Sequence, residues 1–382
     1  MLRLNHSKAA VVRQPRDFPS TGFERIDSSQ LVEEERLPFY RRHDYYPMCI
    51  GQLIHGRYQV VAKLGYGTTS TVWLSRDLRD GKFWVLKVHV NTLKHNQEMV
   101  VYKHLSGVNL HHGGRQHVRQ FQHTFTLNGL HGDHDVFVMP PLGMSLRTFQ
   151  DLQKDKVFQC TLVTAALDQV LLGLNYLHNV NVIHTDMHSD NLLIALTSDM
   201  VLSTVEDNEL HRPSARKYVD DTVIHVSQYM LGGAGNLTIC DLGQARIGEV
   251  HRGNAMPVPY RAPEAWDLLY QEGIFRIYDQ SEELNDAHHL AAMTALLGPP
   301  PDVFLRRSDK TSKYWNEKGQ WHGPVPFPSD RKIKSLKTNL SGEDRDSFLD
   351  FLAGVLTWLP GDRLSTFDAY FHPLLRGEST TE

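Results

Sequence analysis

Residues Val182 to Leu193 run Val-Ile-His-Thr-Asp-Met-His-Ser-Asp-Asn-Leu-Leu: an apolar pair, then a polar loop carrying Asp186 and, five residues on, Asn191. A second apolar run, Leu192 to Ala195, follows at once. Strand-sized apolar material on both sides makes the loop display a carboxylate and an amide together. His, Asp and Asn are ordinary loop residues, so this stretch alone is equally well a solvated turn. Gly65-Tyr66-Gly67-Thr68-Thr69-Ser70-Thr71-Val72 is a second suggestive stretch. A glycine-rich hairpin lets backbone N–H groups approach phosphates, and Val72 would cap a base beside them; the plain alternative is a tight hairpin. Lys87 stands among apolar residues, where a buried ammonium needs a charge partner, and Glu98 is the available carboxylate.

These residues need strands and loops to hold them. Tyr58, Val60, Ala62 and Leu64 alternate with Gln59, Val61 and Lys63 as a half-buried strand does. A strand also follows the glycines, which excludes the dinucleotide-binding fingerprint, where a helix follows. Asp80-Gly81 marks a hairpin turn into a third strand, Phe83 to His89, which carries Lys87. A helical segment is expected from Gln97 to Leu105, and a strand from Val136 to Met139 that ends at Pro140-Pro141. Leu167, Val170, Leu171 and Leu174 fall at helical spacing between Thr161 and Leu177, so that helix runs straight into the Asp186 loop. Leu237 to Cys240 is a short strand delivering Asp241-Leu242-Gly243. Phe348, Phe351, Leu352, Val355, Leu356 and Leu359 define a late helix that Pro360 should stop. Residues 1–44 lack periodicity and are expected as a tail or wrapping segment, with 377–382 a C-terminal tail; the polar stretch of about 197–235 is expected as an inserted surface loop.

Composition excludes several classes. Forty Lys and Arg against 44 Asp and Glu leave a formal charge of -4, so bulk nucleic-acid or membrane electrostatics are not indicated. The 22 His are scattered, and pairs such as His111-His112 lack metal-ligand spacing. Three cysteines far apart argue against a disulfide framework and for a reducing compartment. No apolar run approaches the roughly 18 residues of a membrane span.

Glycine hairpin, strand Lys, H-x-D-x-x-x-x-N, D-x-G and Ala262-Pro263-Glu264 stand in one order. Their joint occurrence resembles the protein-kinase fold from about residue 58 to 376. Tyr46-Pro47, Ile50-Gly51, Arg57-Tyr58, Ser70-Thr71-Val72-Trp73-Leu74 and His184-Thr185-Asp186 narrow the likeness to the SR-protein kinases, which phosphorylate Arg/Ser-repeat proteins, in a fungal-type branch. The resemblance implies an α+β, bilobal fold: a β-rich N-lobe of about 45–143 and a mainly helical C-lobe of about 144–376. It implies ATP and Mg²⁺ as cofactors, with Asp186 orienting and deprotonating the acceptor hydroxyl, and Asn191 and Asp241 holding Mg²⁺. Lys87, paired with Glu98, would grip the α- and β-phosphates. Leu64, Gly65, Tyr66, Gly67, Thr68, Thr69, Ser70, Val72, Val85, Met139 as gatekeeper and Leu142 at the hinge would surround the nucleotide. Glu264 would form a buried bridge to Arg363. Arg/Ser-rich protein substrates, a monomeric state, no direct nucleic-acid or membrane partner, and residence in cytoplasm and nucleus are the corresponding expectations.

The chain departs from the family pattern at several positions. Val85 replaces an alanine near the adenine, and His188 and Pro257 replace a Lys and a Thr near the catalytic loop. After Glu264-Ala265 the chain passes directly to Trp266-Asp267-Leu268-Leu269-Tyr270, as if the first half of the central C-lobe helix, with its Asp-x-Trp, were deleted. That gap implies a weak or inactive kinase. The alternative function is a catalytically impaired pseudokinase serving as a nucleotide-binding or scaffold module. A small-molecule phosphotransferase is disfavoured by Ala262-Pro263-Glu264 and the late Arg363.

Overall fold

The computed structural model describes residues 13–249 apart from 221, and 285–377 apart from 330, 331, 337 and 339. The chain forms two compact units. The first comprises residues up to 96, 119–144 and 194–235. The second comprises 97–118, 145–193 and the described residues from 236 onward. The fold class is α+β, with the large sheet in the first unit and most helices in the second.

The first unit is built on an antiparallel sheet of six strands: β1 (Leu53–Ile54), β2 (Tyr58–Gly67), β3 (Ser70–Asp77), β4 (Phe83–His89), β5 (His123–Gly129) and β6 (Gly132–Met139), in the order β1-β2-β3-β4-β6-β5. Alternate side chains leave opposite faces, so each face has its own core. Val60, Trp73, Leu86, Val136 and Val138 pack with Met48 and Tyr58 in one. Val61, Ala62, Leu74 and Phe83 pack with Leu202 and Val205 in the other.

That second core corrects two expectations. The stretch 197–235 is not a plain surface loop: it contains a helix, Met200–His211, and a hairpin pairing Arg216–Val219 with Thr222–His225. And β2 is not half-buried, for every residue from Tyr58 to Lys63 is buried. The polar members of its supposed outer face are matched by partners far along the chain. Gln59 accepts from Arg16 N at 2.8 Å and donates to Arg16 O at 2.7 Å. Lys63, 1% exposed, pairs with Glu34 and, at 3.4 Å, with Glu33. Segment 13–44 thus wraps this unit, and the insertion completes the wrap: Glu206 is paired with Arg76 and with Arg16, and Lys217 with Glu35 at 2.8 Å. Such buried charges require partners of this quality, because desolvation otherwise costs several kcal/mol per ion, on the order of the whole fold's stability.

In the second unit the helix Cys160–Asn179 is long and apolar enough to cross a membrane by length and composition, contrary to the expectation that no such run exists. Its buried stripe, Val163, Ala166, Val170, Gly173, Tyr176 and Leu177, is covered by protein. At Gly173 an added Cβ would lie 2.8 Å from Ile239 Cδ1 and 3.1 Å from His117 Cβ, so a larger residue would require these neighbours to shift. The helix Gln97–Gly107 also belongs here, with Glu98 buried in its first turn. The late helix spans Gly342–Val355 and ends before Pro360, which instead opens a 3-10 turn, Pro360–Asp362. Arg363 is exposed and donates to the Thr357 carbonyl at 3.3 Å; its expected partner Glu264 lies outside the described residues. So do Pro257, Ala262-Pro263 and the join at Ala265.

Candidate active site

The site residues fall into two groups, one in each unit. In the first unit, β2 and β3 form a hairpin closed by Gly67 opposite Ser70, with Thr68-Thr69 at the tip. Gly65 lies opposite Val72, Val72 opposite Lys87, and Lys87 opposite Phe137, so these four positions form one row across β2, β3, β4 and β6. The next row is Ala62, Leu74, Val85 and Met139. Register therefore sets Lys87 two residues from Val85 on the same face, directly beside Val72. Val85, Met139 and Leu142 are buried; Leu64, Val72 and Lys87 are half-buried; Tyr66 is 38% exposed.

Glycine is not needed to make this hairpin. Neither Gly65 nor Gly67 has a positive φ, and a Cβ added at either would meet no atom within 4 Å. Glycines that neither the backbone nor the packing demands leave their flanks open for a close-approaching ligand.

In the second unit, Val182–Ile183 pairs antiparallel with Arg246–Ile247, with Ile183 opposite Arg246. Between these strands the catalytic-type loop is held by its own polar groups. His184, 1% exposed, donates Nε2–H to the Cys240 carbonyl at 2.9 Å, and its Nδ1 accepts from Asp186 N at 3.3 Å. Burial pushes its pKa down, so the ring is neutral, as this donor–acceptor pattern requires. Cys240 N donates to Asn191 O at 2.8 Å, which ties the Asp241 strand to the loop. Asn191 donates Nδ2–H to the Asp186 carbonyl at 2.9 Å, which leaves its Oδ1 available as an acceptor. His188 Nε2 lies 3.0 Å from Asn191 Nδ2 and 3.9 Å from Asp186 Oδ2, so His188 occupies the space beside the catalytic-type pair. Thr185 and Asp241 both adopt left-handed backbone, at φ 65° and 61°. Non-glycine residues held there cost roughly 1–3 kcal/mol each and cluster at functional sites.

The donor set suits a hard divalent cation. Mg²⁺ takes oxygen ligands, and Asp241 with Asn191 Oδ1 supplies a carboxylate and an amide oxygen within one unit. Among the described residues no group of three or more His, Cys, Asp or Glu forms a separate metal site. Two links were not legible in sequence. Thr185 donates Oγ1–H to the Gln244 carbonyl at 2.7 Å, and Gln97 donates to Ala245 O at 2.7 Å. Both join side chains to backbone carbonyls far along the chain, and a carbonyl carries no sequence signal.

The description "protein kinase domain" matches residues 58–375. A serine/threonine protein kinase of Aspergillus fumigatus is 34% identical over 94% of this chain and 95% of its own length. The serine/threonine-protein kinase SRPK of Physarum polycephalum is 26% identical over 91% of this chain and 93% of its own. SRSF protein kinase 3 of Sus scrofa is 32% identical over 53% of this chain and 37% of its own. A solved crystal structure of a kinase domain superposes with TM-score 0.63 at 20% identity, covering 87% of this chain and 99% of that one.

Proposed function

This chain belongs to the protein kinase family as a serine/threonine protein kinase, and on that premise we propose that it phosphorylates serines in Arg/Ser-rich proteins, using Mg-ATP. The observation that carries the nucleotide part is the glycine hairpin, where Gly65 and Gly67 are left open without a structural need. Arg/Ser-rich substrates are supported by the likeness to the Physarum SRPK and the porcine SRSF kinase. When bound, Mg-ATP supplies the phosphoryl group and the cation that neutralises its developing charge. The hairpin amides and Lys87 would bind the phosphates, and Val72, Val85 and Met139 would enclose the base. Asn191 and Asp241 would hold the cation. Asp186 would orient the serine hydroxyl and accept its proton at a carboxylate oxygen as the serine O–P bond forms and the bond from the γ-phosphorus to the bridging oxygen breaks, ADP leaving with that electron pair.

The direct test is phosphotransfer from Mg-ATP to an Arg/Ser-repeat peptide, beside a thermal melt. Mg-ATP at about 100 times its Kd should stabilise the folded chain by about 2.7 kcal/mol. An unmoved melting curve at saturating Mg-ATP would remove the nucleotide site. A shifted curve without transfer to the peptide would leave a nucleotide-binding protein and remove the proposed substrate.

Thr185 adds an expectation about regulation. It stands where an arginine would pair with a phosphate on the activation loop, and it carries no charge. The loop from Gln244 to Tyr260 contains no Ser or Thr. Its first residue, Gln244, instead accepts the neutral hydrogen bond from Thr185. Phosphatase treatment should therefore leave the rate unchanged, whereas Thr185→Val should cost about 0.5–1.5 kcal/mol of stability, measured by urea unfolding. A rate that tracks a phosphate on that loop would contradict this.

A further inference from the structure

The wrapping segment does more than cover the sheet. The Tyr45 hydroxyl donates to the carbonyls of Gly67 and Thr68, 3.0 and 3.2 Å away, sharing one proton between two successive peptides of the glycine hairpin. The next carbonyl, that of Thr69, accepts from Val90 N at 2.9 Å. Three consecutive carbonyls at the hairpin tip are thus held. In a trans peptide the N–H points opposite to the C=O of the same unit. Fixing the carbonyls of Gly67, Thr68 and Thr69 therefore also fixes the direction of the Thr68, Thr69 and Ser70 amides, away from those partners.

Tyr45 is itself braced. Asn91 donates its backbone N–H to Asp44 O at 3.0 Å and its side-chain Nδ2–H to His43 O at 2.8 Å. The Tyr40 ring lies 5.3 Å from the Tyr45 ring. Burial and the nearby Glu34 and Asp44 carboxylates push the Tyr45 pKa up to about 12, so the hydroxyl keeps its proton and remains a donor. None of this is needed for strand pairing, since Gly67 and Ser70 already close the hairpin by register.

We propose that Tyr45 is a positioning residue for the nucleotide: its hydroxyl pre-orients the hairpin amides that meet the phosphates, making segment 43–45 part of the ATP site. This rests on the nucleotide-site reading given above. A free hairpin must lose conformational freedom when it closes on a phosphate, and a pre-oriented one loses less, so the cost of a missing clasp falls on nucleotide affinity. Turnover at saturating nucleotide depends on the Asp186 loop, which belongs to the other unit.

The test uses the full chain with Tyr45→Phe, which removes the hydroxyl and keeps the ring, and Asn91→Ala, which loosens segment 43–45 without touching the hairpin. For Tyr45→Phe, Kd and KM for Mg-ATP should rise about three- to tenfold, the range expected for one lost hydrogen bond. Its kcat and its KM for an Arg/Ser-repeat peptide should change by less than about twofold on that scale. Asn91→Ala should shift Kd in the same direction by a smaller factor. Hydrogen exchange of the Thr68 and Thr69 amides should speed up in both variants, with that of Ser70, whose peptide Val90 holds, changing least. Wild-type chain that fails to bind Mg-ATP would remove the nucleotide site itself. Wild-type binding with an unchanged Kd in folded Tyr45→Phe would overturn the clasp alone. A Tyr45→Phe chain that does not fold, with Asn91→Ala binding like wild type, would make Tyr45 a structural tie and overturn it equally.

Discussion

Asp186→Asn is expected to lower kcat on an Arg/Ser-repeat peptide by about 10²- to 10⁴-fold, the usual contribution of a positioned general base. Asn matches Asp in shape, and the backbone contacts of this position do not involve the carboxylate: its N–H reaches His184 and its carbonyl receives Asn191. The loop should therefore keep its conformation, and Kd for Mg-ATP should stay within about threefold of wild type. The loss should appear in kcat and kcat/KM together, because the interaction removed is one made in the transition state. Steady-state kinetics with isothermal titration of Mg-ATP separates the two effects. An Asp186→Asn chain that retains wild-type kcat would take the base role away from this residue.

Glu206→Ala is expected to destabilise the first unit by about 3–5 kcal/mol, the cost of removing one member of a buried ion pair. Glu206 is 1% exposed and accepts from both Arg76 Nε, at 2.8 Å, and Arg76 Nη2. Arg76, itself buried on β3, would retain the Gly81 carbonyl as an acceptor but lose its counter-charge. Arg16, 45% exposed, should matter far less, because water solvates the charge when the partner is lost. Against a typical total of roughly 5–15 kcal/mol the Glu206 effect is large. Urea unfolding should show it as a lowered midpoint, with Arg16→Ala shifting little. A Glu206→Ala chain within about 1 kcal/mol of wild type would mean that the insertion helix is not needed to hold the sheet.

Much of the architecture is carried by local pattern. The glycine hairpin, the strand bearing Lys87, the helix before the Asp186 loop and the strand before Asp241 all stand where alternation, helical spacing and turn residues place them, because each is a local apolar pattern with a turn at its end. The order of these motifs also determined the family and the α+β class. What escaped is polar and non-local. The insertion helix Met200–His211 buries Leu202, Val205, Glu206 and Glu209, a stripe at helical spacing in which half the members are carboxylates. In sequence such a stripe is indistinguishable from a solvated face, and only the arrival of Arg76 from β3 and Arg216 from the hairpin turns those acids into core. Lys63 is the same case in reverse: alternation marks it as an outer residue of β2, and Glu33 and Glu34 on the wrapping segment make it an inner one. Sequence by itself determined which residues could do chemistry and which strands and loops carry them. Tertiary structure alone decided which charges are buried, that residues 13–44 are a layer of the fold, and that Tyr45 holds the hairpin, because a charge or a hydroxyl acquires its partner only when distant segments meet.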